Sequence, residues 1–133
     1  MKKITKVGLQ SVQQYIAALN IVGLAPAKAK TLMKLHNKVS KVIAELVEEQ
    51  KALIEKYEIA FKEDGRTLDT TSPNFNEYLN TYRELIAETI DITEYCVLTE
   101  DEAILAVSKI DAPMAVVAEI ATLLTEEDKE SEN

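Results

Sequence analysis

The sequence predicts a mainly α protein with a minor β pair: a long antiparallel helical hairpin, one short two-stranded pairing and two short C-terminal helices. Three observations carry this. Only three Gly and three Pro punctuate 133 residues, so tight turns are few. No Gly or Pro interrupts Ala27 to Phe61, and apolar residues recur through that stretch at three and four. A second amphipathic stretch follows after a short polar break, and antiparallel return against the first is its simplest home.

The elements follow in order. Lys3–Val7 is rich in β-branched residues and reads as a short strand or an irregular lead-in to Gly8. From Leu9 the spacing turns helical: Leu9, Val12, Ile16 and Leu19 share a face, and Asn20 and Gly23 supply the stop. Pro26 opens the next helix at a first-turn position, where its missing N–H costs nothing. Leu32, Leu35, Val39, Val42, Leu46 and Leu53 then form its main seam. Met33, Ile43, Val47, Ile54, Tyr57 and Phe61 form a second seam beside it. A helix of that length, about 50 Å at 1.5 Å per residue, needs a partner helix or a second copy along much of it.

Residues 62–72 break the pattern at Asp64-Gly65. Ser72-Pro73 reads as an N-cap followed by a first-turn proline. Phe75, Leu79, Tyr82 and Ile86 then mark a helix ending near Glu88. Ile90–Leu98 changes period to alternation and reads as a strand. A lone strand leaves its backbone unpaired, so it must meet Lys3–Val7 or a second copy. Thr99 and Glu102 match a capping box ahead of a short helix carrying Ile104, Leu105 and Val107. Asp111-Ala112-Pro113 caps a last helix carrying Met114, Val117, Ile120 and Leu124. The expected organisation is one helical domain over 1–124 and an acidic disordered tail over 125–133.

Charge is segregated along the chain. All eight basic residues of the first 44 (Lys2, Lys3 and Lys6, then Lys28 to Lys41) precede the first acidic residue, Glu45. A head of about +8 thus meets a remainder of about −16 within a net charge of −8. Lys30, Lys34, Lys38 and Lys41, spaced 4-4-3, line one face of the long helix away from its main seam. They begin near the helix N-terminus, where the macrodipole disfavours each cation by about a few tenths of a kcal/mol. This face is the predicted partner-binding surface. A stripe without Arg, with no interleaved aromatics, in an acidic protein argues against nucleic acid, which leaves a solvated face or a docking surface for an acidic protein partner or a second copy.

Little else points to chemistry. His36 is the only histidine and has no Glu three or four residues away, so it reads as structural. Cys96 is the only cysteine, which excludes an internal disulfide and fits a reducing compartment. With no basic neighbour to lower its pKa it reads as a small buried apolar residue. Paired carboxylates such as Glu48-Glu49 and Asp101-Glu102 fit solvated helix faces. Lys62–Gly65 lacks the alternating oxygen ligands of a calcium loop. There is no phosphate-cradling glycine loop and no nucleophile elbow. No run of about 18 apolar residues and no signal-peptide core occurs. The expectation is a non-catalytic cytoplasmic protein with no metal, no cofactor, no small-molecule substrate and no membrane partner.

The order of segments resembles an uncharacterised family of small proteins from tailed phages and prophages of Gram-positive bacteria, the domain of unknown function 1617. The shared features are a Lys-Ile-Thr start (Lys3–Thr5) and Leu24–Ala29 opening a Lys-rich helix. Leu53–Tyr57, the Glu63–Gly65 loop, Phe75–Leu79 and Ile90–Ile92 follow in the same order. The chain departs from the family at its end, from Met114 through the acidic tail. The family has no established activity and no catalytic residues to carry over. The resemblance implies a phage-encoded accessory protein that acts by binding in the infected bacterial cell or on the virion. Self-association in virion assembly or structure is the leading expectation. Inhibition of a host defence enzyme, with the acidic half mimicking nucleic acid, is one alternative. Nucleic-acid binding through the lysine stripe is the other.

Overall fold

Pro26 at the first turn and an unbroken 3-4 repeat make the spine of the molecule. In the computed structural model, which describes residues 2–126, helix α2 runs over Pro26–Lys56. Its buried residues are Leu32, Leu35, Val39, Val42 and Leu46, the main seam read from sequence except for Leu53, which is only half-buried. The second seam enters the core only in part: Ile43 packs against it, while Met33 is 58% and Val47 40% exposed. Helix α1 (Lys6–Ile16) packs on the N-terminal part of α2, and α3 (Phe75–Ala87) returns along its C-terminal part. Tyr78 and Thr81 of α3 meet Gln50 and Tyr57 of α2 through side-chain hydrogen bonds of 3.2 and 3.1 Å. The mainly α class with a minor β pair therefore holds, including the hairpin of α2 and α3.

Helix α2 stops five residues before Phe61, where apolar periodicity had carried it. Glu58 adopts a left-handed conformation (φ 51°), its N–H reaches Glu55 O (3.1 Å), and the Ile59 N–H reaches Ile54 O (3.0 Å). This is a Schellman closure with Glu in the position that usually takes Gly, and Ile59 folds back into the interior. A β-carbon in that conformation is strained. Glu58→Gly is therefore expected to stabilise the protein by about 0.5–1 kcal/mol, read as a raised urea midpoint at unchanged slope. A lower midpoint would mean that the Glu58 side chain itself holds the turn.

The strand pair forms within the chain but is shorter than expected. β1 (Lys3–Thr5) runs antiparallel to β2 (Thr89–Asp91), with Lys3 opposite Asp91, Ile4 opposite Ile90 and Thr5 opposite Thr89. Lys6 and Val7 belong to α1 because the Thr5 side chain caps it, accepting from the Gly8 N–H at 3.0 Å. Gly8 is needed there: a β-carbon would come 2.8 Å from Ile4 Cγ1. Residues 92–98 are not strand. Asp91 Oδ1 accepts from the Thr93 amide (2.9 Å) and hydroxyl (2.6 Å), which turns the chain into a 3₁₀ turn over Thr93–Tyr95. Those same two bonds hold the Asp91 carboxyl below the usual carboxylate range.

Further corrections concern helix ends. α1 ends at Ile16, ahead of the Asn20 stop, and the Asn20 N–H instead bonds Ala106 O at 2.8 Å. Ser72 does not cap α3: its hydroxyl accepts from the Ala60 N–H (3.1 Å), and the helix starts two residues later with Asn74 at the cap. Pro113 itself takes the N-cap position of α5 (Met114–Leu124), with no side-chain cap bond. The Thr99–Glu102 capping box of α4 (Glu100–Ala106) forms as read. In α4, however, Ala103 and Ala106 are buried, whereas Ile104 and Leu105 are exposed. Of the expected tail, Thr125 and Glu126 continue from α5 with a parallel bridge between Thr125 and Leu98. Residues 127–133 lie outside the described residues. Among the described residues no helix is long and apolar enough to cross a membrane.

Candidate interaction surface

The basic head divides into side chains that hold the fold and side chains left over. Lys2 Nζ donates to the carbonyls of Thr122 (2.6 Å), Leu123 (3.3 Å) and Thr125, closing the C-terminal end of α5, where the helix dipole favours a cation. Lys6 pairs with Glu88 at 3.3 Å beside the strand ends. Lys28 reaches Glu102 at 2.5 Å and joins the start of α2 to the capping box of α4. The Lys28 ammonium, followed by the Thr99 amide, pulls the Glu102 carboxyl below its usual range.

Lys30, Lys34, Lys38 and Lys41 take no part in this. All four are exposed and form no ion pair among the described residues. At about 100° per residue they share an arc of about 80°, centred about 120° from the buried seam. The seam decides this: once Leu35, Val39 and Val42 face the core, these lysines must face solvent. Glu45 and Glu48 lie in the same arc one and two turns further on, both exposed. The face is thus basic from Lys30 to Lys41 and acidic at Glu45 and Glu48, before the exposed Lys56 returns to the arc at the end of α2. The lysine half was legible in the sequence. The acidic half was missed, although its three- and four-residue spacing from Lys41 was the same signal.

The residues with chemical potential are placed apart. His36 is half-buried in a groove of about 250 Å³ among Ile16, Leu19, Ile21, Leu32 and Met33. Cys96 is buried at the end of the 3₁₀ turn, not in a strand, with Sγ 3.1 Å from Leu123 O. Among the described residues no three His, Cys, Asp or Glu side chains gather as a metal-binding group. Another groove, of about 380 Å³, lies between α2 and α3 and is rimmed by Glu49, Glu84 and Glu88 over Leu53 and Leu85. Comparison with protein-family models, curated proteins and solved structures finds no match to this chain.

Proposed function

We propose that this is a non-catalytic, phage-encoded protein that works by protein–protein contact, associates with itself, and is accessory to virion assembly or structure. It acts in the infected bacterial cytoplasm or on the virion. One observation carries the interaction reading. Lys2, Lys6 and Lys28 are consumed in holding the fold, while Lys30, Lys34, Lys38 and Lys41 stand together on one helix, exposed and without an ion pair among the described residues. Like charges three and four residues apart repel along a helix, a local cost that an acidic partner surface relieves. The resemblance of its segment order to the phage family supports the phage setting, and His36 and Cys96 in apolar surroundings support action without catalysis.

The test is light scattering on the purified protein beside a Lys30/Lys34/Lys38/Lys41→Glu variant of unchanged helical content. The wild type is expected to be an oligomer and the variant a monomer. A monomeric wild type that captures a host enzyme would replace this reading with the inhibitor. Retardation of DNA or RNA, with a steep loss in salt, would replace it with nucleic-acid binding.

A further inference from the structure

We propose that a second copy of this chain occupies the charge-split face of α2, laid antiparallel, with Lys34 against Glu55 and Lys41 against Glu48 of the second copy. This rests on the self-association reading above and deepens it by naming the surface and the register.

The spacing is the first ground. Lys34, Lys41, Glu48 and Glu55 are seven residues apart and all exposed. A seven-residue repeat drifts about 20° per step on a straight helix, so the four describe a shallow line along one side of α2. A partner helix with a slight left-handed supercoil follows such a line.

The order of signs is the second ground, and it decides orientation. Along the line the charges run plus, plus, minus, minus. A parallel copy in register sets Lys on Lys and Glu on Glu. A reversed copy, with the two-fold axis crossing α2 between Ala44 and Glu45, sets every lysine on a glutamate. Symmetry doubles the two pairs to four, and the pattern is self-complementary as a two-fold interface requires. Among the described residues of the single chain Glu48 pairs only with Lys51, at 3.5 Å, both largely exposed, so water screens that bond and it is readily exchanged.

The surface beside the line is the third ground. Met33, Ser40, Ala44, Val47 and Ile54 keep the same seven-residue frame at spacings of 7-4-3-7. Met33 and Val47 are the exposed large apolar residues of α2. Ala44 and Val47 lie nearest the crossing point, and the small Ala44 side chain lets two backbones approach there. Asn37 and Lys51 fill the remaining positions of the frame. They make the seam too polar to set a register by itself, which leaves the register to the charges.

The experiment compares the full chain with Lys34→Glu/Lys41→Glu, with Glu48→Lys/Glu55→Lys, and with all four changes together. Circular dichroism checks that each variant keeps the wild-type helical content. Each double variant makes the line one sign and is expected to weaken self-association at least about tenfold, since four attractive pairs become repulsive. An equimolar mixture of the two double variants is expected to dimerise, and the four-change variant to regain wild-type association. If the wild type associates and both double variants do so with unchanged affinity, the register is wrong while self-association stands. If the wild type stays monomeric at low salt and high concentration, the register and the self-association reading fall together.

Discussion

Leu35→Ala is expected to cost about 2–5 kcal/mol, a large part of the roughly 5–15 kcal/mol that holds a domain of this size. Leu35 is 1% exposed at the centre of the α2 seam and belongs to the one large buried cluster. That cluster takes Leu9 and Ile16 from α1, Ile92 and Leu98 from the segment after β2, and Ile120 and Leu124 from α5. Truncation there removes a side chain from a core to which most elements contribute, so the loss is both the transfer energy of the missing atoms and the cavity they leave. Melting should stay a single transition whose midpoint falls by roughly 10 °C, followed by circular dichroism. A fall of only a degree or two would mean that α1 and the 3₁₀ segment close over the gap.

Tyr78→Ala should be comparably costly, at about 3 kcal/mol, but differently distributed. Tyr78 is 2% exposed and lies outside the large cluster, as do Leu46 and Ile59. Its ring lies near-parallel to Tyr82 at 5.9 Å and tilted to Phe75 at 6.0 Å, and its hydroxyl accepts from Gln50 Nε2 at 3.2 Å. This small satellite holds α3 to the second half of α2. The variant is expected to lose amide protection across Phe75–Ala87 while Lys6–Ile16 stays protected, measured by hydrogen exchange. Tyr78→Phe keeps the rings and loses one hydrogen bond, for about 1 kcal/mol or less. Equal loss of protection in α1 and α3 would show that the two clusters unfold as one unit.

The same two clusters explain how far the sequence could be read. The positions that α2 buries, Leu32 to Leu46, were legible because helical periodicity is imposed by one continuous neighbour surface. The second seam was misleading for the complementary reason. Met33 and Val47 have helical spacing, yet α1 and α3 together are too short to cover a second side of α2. The strand over Ile90–Leu98 failed at Asp91, whose carboxylate captured the Thr93 N–H and hydroxyl before the ladder could extend. That signal was present as Asp-x-Thr, and it recurs at Asp69 and Thr71, where the same bonds lower the Asp69 carboxyl. Alternation of Ile92, Cys96 and Leu98 survived only as burial, because a 3₁₀ turn also returns side chains to one side.

By itself the sequence determined the class of the fold, the buried seam of α2, the capping box at Thr99 and the lysine stripe. Each of these depends on residues a few positions apart, and local geometry decides them. The tertiary structure alone decided that Lys2, Lys6 and Lys28 are spent within the fold on partners more than seventy residues away. It also decided that Met33 and Val47 stay uncovered and that α2 ends at Lys56, closed by the left-handed Glu58. Those outcomes follow from which surfaces remain after the core has closed, a property of the whole chain that no short window contains.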